Sequence, residues 1–168
     1  MKVIGLAGWS GAGKTTLLTR LIPHFNAQGV RVSVIKHAHH RFDVDQPGKD
    51  SWLHREAGAH EVLVGSANRW ALMHEHRGAP EPDSAELMRH MSPVDLLLIE
   101  GFKRERHDKL EIYREANGKP LLATEDPHVV AILADGPVPD AKVPVIDLND
   151  VAAIVEFIVR HCGLAAKQ

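Results

Sequence analysis

The chain has 168 residues, 44% of them hydrophobic, with 20 basic against 22 acidic side chains and a net charge of −2. That length suits one compact domain around a single core, and the near-balance of charge argues against a standing attraction to nucleic acid or to an anionic membrane surface. The single cysteine, Cys162, permits no internal disulfide and points to a cytoplasmic setting, and no run reaches the ~20 apolar residues that a membrane-spanning helix needs.

The opening "MKVIGLAG" has too short an apolar run for a signal peptide and leads straight into glycines. Its residues 2–8 read as a buried strand. Residues 14–29 follow as a helix with Leu17, Leu18, Leu21, Ile22 and Phe25 on one stripe, Pro23 kinking or dividing it, and Gly29 ending it. Residues 30–37 form a second strand, so the first three elements make a crossover unit of a parallel sheet. Residues 48–59 read as a short helix capped by Asp50 or Ser51. "EVLVGS" and "RWALMHE" (61–66 and 69–75) read as two strands, and 76–86 as a loop. A helix over 82–91 has Asp83 as its cap and Glu86 three residues on. Strands are expected over 94–102, 109–114, 120–124, 128–135 and 143–148, and a last helix over 150–163 stops at Gly163. Strands mixed with crossover helices predict an α/β three-layer sandwich with a mostly parallel sheet and a β-hairpin extension.

The first strand runs into "GWSGAGKTT". Gly8, Gly13, Lys14 and Thr15 satisfy G-x-x-x-x-G-K-[ST], the Walker A or P-loop pattern, with a strand before it and a helix after it. Glycines let backbone N–H groups turn inward around phosphate oxygens, and the helix N-terminus adds partial positive charge. Lys14 is expected at the β- and γ-phosphates and Thr15 on Mg²⁺, with Thr16 facing the α-phosphate. The metal's carboxylate is expected at the end of a neighbouring strand. "DLLLIEG" supplies Glu100 there, and Gly101 allows backbone close to the γ-phosphate.

"KHAHHRFDVDQPGKD" (36–50) also leaves a strand at the ligand edge. Asp45 or Asp50 would add a second Mg²⁺-linked carboxylate or a γ-phosphate sensor. A transition-metal site on His37, His39 and His40 is the alternative.

Taken together, "GWSGAGKTTL", "IKHAHHRFDVDQPGKDS", "RWALM", "DLLLIEGFK" and "LNDV" resemble the molybdopterin-guanine dinucleotide biosynthesis protein B (MobB) family, over Lys2 to about Phe157. The resemblance implies a GTP-binding accessory protein of molybdenum-cofactor biosynthesis, at most a slow GTPase. It would assist a separate guanylyltransferase that joins molybdopterin to GMP. It implies GTP on Gly8, Trp9, Ser10, Gly11, Ala12, Gly13, Lys14, Thr15, Thr16 and Gly101, and Mg²⁺ on Thr15, Asp45 and Glu100. The partners would be the transferase and molybdopterin itself. A homodimer with a shared sheet is also implied, and the apolar hairpin offers an edge for it.

The Asn-Lys-x-Asp run with which common GTPases read guanine is absent, and Asp126 or Asp135 would have to serve. Nor is a glutamine or arginine finger evident, so hydrolysis is expected to be slow. Arg41, Lys103 and Arg104 are the loop cations that approach the phosphates in this reading. Two rival functions remain at the level of sequence: a small-molecule phosphotransferase, opposed by the lack of an Arg-rich lid, and a metallochaperone GTPase suggested by the 12 histidines.

Overall fold

The computed structural model describes residues 1–38 and 42–164. In chain order the elements are β1 Lys2–Ala7, α1 Lys14–Ala27, β2 Val32–Lys36, α2 Asp50–Glu56, β3 Glu61–Gly65, β4 Trp70–His74, α3 Ser84–Arg89, β5 Leu96–Glu100, β6 Lys109–Tyr113, β7 Val129–Ala134, β8 Val145–Asp147 and α4 Val151–Cys162. The chain divides into two compact units. One comprises residues 1–37 with 84 onward, and the other spans residues 38–83.

The larger unit holds a six-stranded sheet in the order β2-β5-β1-β6-β7-β8, every adjacent pair parallel. β5 is apolar except at its last residue and is buried throughout, as a strand with neighbours on both edges and cover on both faces must be. Alternate residues along the strands divide two cores. Ile4, Leu6, Leu96, Leu98, Leu110 and Ile112 pack with α1 and α4. Ile35, Leu97 and Ile99 face the other way with Leu87 and Met88 of α3. The result is the three-layer α/β sandwich expected of a P-loop protein.

Two local expectations are corrected. Pro23 does not divide α1, which runs unbroken through it, and Leu17, Leu18, Leu21 and Phe25 on both sides of Pro23 share one core. Pro23 and Thr19, whose carbonyl loses its partner, are both exposed, so water takes that hydrogen bond. Residues 120–124 are not a strand. Leu122–Thr124 form a 3₁₀ turn whose Leu122 and Ala123 N–H groups donate to the buried Glu111 carboxylate, at 2.7 and 2.8 Å. Burial raises the pKa of that carboxyl, and the two backbone N–H groups oppose the rise.

The smaller unit contains α2 and the antiparallel hairpin β3–β4, registered with Val62 opposite Met73 and Leu63 opposite Leu72. Lys49 is the N-cap of α2 and gives no side-chain cap, against the expectation of Asp50 or Ser51. Ser51 instead donates to Asp45 at 2.8 Å. Arg55 holds this unit together. It donates to Asp45 at 2.7 Å, to Glu75 at 2.7 Å and to both oxygens of Asp43 at 2.8 and 2.9 Å. Its hydrogen bonds to Glu75, then to Asp45, raise its pKa further above an already high value. Among the described residues no helix is long and apolar enough to cross a membrane.

Candidate nucleotide-binding site

The site lies at the C-terminal edge of the parallel sheet. β1 ends at Ala7, and the chain turns through Gly8–Gly13 into α1. Gly8 has φ 150°, and a Cβ there would lie 2.8 Å from the Ile112 carbonyl oxygen, so the tight exit from β1 admits only glycine. Gly13 is the N-cap of α1 with φ 101°, gives the helix no side-chain cap, and no acidic residue follows in the first turn. The leading N–H groups and the positive end of the helix are thereby left for an anion.

Lys14 folds over the loop and donates from Nζ to the carbonyls of Gly8 at 2.9 Å and Trp9 at 3.1 Å. Burial lowers its pKa, the nearby Lys103 and Lys36 act in the same direction, and Glu100 opposes them. The loop also closes on itself, Ala12 N donating to Trp9 O at 3.1 Å, while Ser10, Gly11 and Thr16 stay exposed.

Sheet register brings the acid to this loop. Glu100 is the last residue of β5 and lies level with Leu6 of β1 on one side and Lys36 of β2 on the other. It is 6% exposed. Thr15 Oγ1 donates to Glu100 Oε1 at 2.7 Å, and Lys36 Nζ is 3.7 Å from the same oxygen. Two hard oxygen donors side by side at the head of the first helical turn are the kind of set Mg²⁺ takes, and the residues therefore fit that ion. Gly101 follows with φ 101°, and a Cβ there would meet His37 Cβ at 2.8 Å. The His37 ring stacks on Phe102 with centroids 4.4 Å apart, and His37 N donates to Glu100 O at 2.8 Å, so the exits of β2 and β5 are tied together.

Asp45 lies in the smaller unit, its side chain 7% exposed, with one oxygen on Ser51 and the other on Arg55. His39, His40 and Arg41 lie outside the described residues, and among the described residues no group of three His, Cys, Asp or Glu is arranged to hold a metal ion. Asp126 accepts from Lys109 Nζ at 2.8 Å and from His128 N at 2.9 Å. Asp135 pairs with Arg114. Both candidate readers of guanine thus already carry partners.

Three residues at or beneath the site were missed in the sequence. Arg114, just past the end of β6, donates from Nε to the Ala12 carbonyl of the loop at 3.1 Å. It follows a strand that the structure pairs with β1, a placement the sequence alone does not signal. Lys109 and Glu111 are 1% and 0% exposed. Lys109 Nζ donates to the carbonyls of Lys103 at 3.1 Å and Glu105 at 2.6 Å, which fixes the loop that follows Glu100.

Residues 3–135 match the sequence profile of the MobB family, molybdopterin guanine dinucleotide synthesis protein B. The molybdopterin-guanine dinucleotide biosynthesis adapter protein of Escherichia coli K12 is 44% identical over 160 residues, which cover 94% of this chain and 91% of that one. Its namesake from Haemophilus influenzae is 40% identical over 159 residues, covering 93% and 86%. The crystal structure of Bacillus subtilis MobB superposes with a TM-score of 0.75 over 99% of this chain and 100% of that one, at 22% identity, and bears on the fold alone. The profile match over most of the chain and the relatives at 40–44% identity show that the chain belongs to the MobB family.

Proposed function

We propose that the protein is a GTP-binding adapter of molybdopterin-guanine dinucleotide biosynthesis, cytoplasmic, and at most a slow GTPase. The adapter role follows from family membership and from the two relatives at 40–44% identity. The single observation that carries the nucleotide reading is the contact of Thr15 Oγ1 with Glu100 Oε1, 2.7 Å apart beside an uncapped helix N-terminus.

In this reading the N–H groups of Gly8 to Thr16 enclose the phosphates. Lys14 leaves the carbonyls of Gly8 and Trp9 for the β- and γ-oxygens, a charge-assisted exchange that favours the bound form. Thr15 and Glu100 would hold Mg²⁺, which would supply neutralising charge to the phosphate oxygens. Gly101 keeps the backbone open towards the terminal phosphate. Asp45, the third metal ligand that the family resemblance implies, has its oxygens on Ser51 and Arg55. Slow hydrolysis is expected because Arg114, an arginine that reaches the loop, already holds Ala12 and Asp135.

The partner is a guanylyltransferase carrying molybdopterin, and the protein acts as a homodimer through β3–β4. Support for the dimer is the exposure of Leu63 and Trp70, at 62% and 65%, on the same hairpin as the exposed Leu72.

The test is a competition titration with GTP, ATP and their diphosphates in Mg²⁺, with Lys14→Ala as control. GTP should win, and Lys14→Ala should weaken binding at least ~100-fold with the fold retained, since the lysine contributes several charge-assisted contacts. A preference for ATP would detach the loop from guanine chemistry.

A further inference from the structure

The indole of Trp9 lies under two ammonium groups from different loops. Lys103 Nζ is 4.5 Å from the ring centroid and Lys119 Nζ is 6.0 Å from it. The ring is held in place by its own N–H, which donates to the Pro120 carbonyl at 2.9 Å. Neither lysine has a carboxylate within salt-bridge distance among the described residues, so the indole face is the partner Lys103 has. Cation–π attraction at a partly exposed site is weaker than a charge-assisted hydrogen bond to phosphate, so an arriving anion displaces the indole as partner.

The two lysines differ in what they follow. Lys119 comes from the loop beyond β6. Lys103 comes three residues after Glu100, in the loop that leaves the metal-binding strand. If Glu100 holds the Mg²⁺ of a bound nucleotide, the loop that follows it would lie on the terminal-phosphate side. Trp9 marks the same spot from below: its carbonyl receives Lys14 Nζ at 3.1 Å while its ring receives Lys103. The backbone of Lys103 is fixed, because its carbonyl is one of the two that the buried Lys109 holds. Its side chain is only half-buried and has room to move. The charge count agrees. Burial first and Lys103 next lower the Lys14 pKa, Glu100 opposes them, and Lys36 lies 3.7 Å from the same Glu100. The site is short of negative charge until a ligand supplies it.

We infer that Lys103 is a specificity-determining residue of this site, parked on Trp9 when no nucleotide is bound and moved to the terminal phosphate when a triphosphate binds, so that it separates nucleoside triphosphate from diphosphate. The inference rests on the nucleotide reading above and deepens it.

The experiment is calorimetric titration of wild type, Lys103→Gln and Lys103→Arg with β,γ-imido-GTP and with GDP, in Mg²⁺. Lys103→Gln should lose about tenfold in affinity for the imido-triphosphate, the worth of one charge-assisted hydrogen bond, and under twofold for GDP. Lys103→Arg should keep most of the preference. A Lys103→Gln protein that loses both ligands alike, or neither, overturns the inference. A wild type that binds neither nucleotide overturns the nucleotide reading with it. A wild type that prefers adenine nucleotides overturns the guanine reading alone. The Lys103 comparison then runs on β,γ-imido-ATP and ADP, where a loss confined to the triphosphate supports the inference and an equal loss, or none, overturns it.

Discussion

The two units of this chain are held together by different physics. In the larger one the strands alternate between two apolar cores, and Ile4, Leu6, Leu96, Leu98 and Leu110 are wholly buried. In the smaller one no residue of α2, β3 or β4 is fully buried, and the order comes from Arg55 drawing Asp43, Asp45 and Glu75 to one guanidinium. The difference is one of purpose. A core that buries its own apolar groups can hold a phosphate loop and its acid within tenths of an ångström. A unit that leaves Leu63, Trp70 and Leu72 exposed, with its charges gathered on one arginine, has the apolar surface that the proposed dimer would use.

The sharpest way to break this contrast is to truncate one leucine in each unit. Leu98→Ala, in the interior strand β5, should cost about 3–5 kcal/mol of unfolding free energy, from lost transfer and the cavity left behind. Leu63→Ala, on the exposed hairpin, should change the unfolding free energy of the monomer by under ~0.5 kcal/mol in urea titrations while shifting the monomer–dimer balance by sedimentation. Equal losses from the two would mean that Leu63 is a core residue and that the contrast is false.

A second test probes the buried ion pair of the larger unit. Asp126→Asn leaves Lys109, 1% exposed, with two carbonyls and no counter-charge, at a cost of about 3 kcal/mol. The acid limb carries the same information. Burial pushes the Asp126 carboxyl up, but the hydrogen bonds from Lys109 and the His128 amide and the charges of both residues outweigh it and hold the group below its ordinary range. Its folded pKa is therefore depressed. The contribution is fully present above the ordinary carboxylate pKa of about 4 and is lost as pH falls through the lower, folded value. The Asn variant should lack that part of the acid limb in stability measured against pH.

What was legible in the sequence and what was not follow from the range of the interactions. The phosphate loop is local: glycines, lysine and threonine lie within nine residues, and the strand before and helix after are short-range patterns. Glu100 was legible because an acid directly after four apolar residues reads as a strand end. The sheet order was not legible, since parallel pairing joins Leu6 to Glu100 across most of the chain. In β6 the sequence KLEIY alternates as a half-exposed strand does, yet Lys109 and Glu111 are buried as deeply as their apolar neighbours. They are charged because irregular backbone, not a helix, covers that face, and its carbonyls and N–H groups need partners. The structural role of Asp126 was hidden because its partner, Lys109, lies in another element. Arg114 gave only its position after a strand, which carries no signal until the neighbouring strand is known.

The most direct measurement is the affinity of GTP with and without Mg²⁺, for wild type and Glu100→Gln, by calorimetry. Mg²⁺ should tighten GTP binding at least ~10-fold in the wild type, and most of that gain should vanish in Glu100→Gln while metal-free binding stays within about threefold. A Glu100→Gln protein with the full Mg²⁺ gain would contradict the assignment of Thr15 and Glu100 as the metal-binding pair, and with it the reading of this edge of the sheet as a nucleotide site.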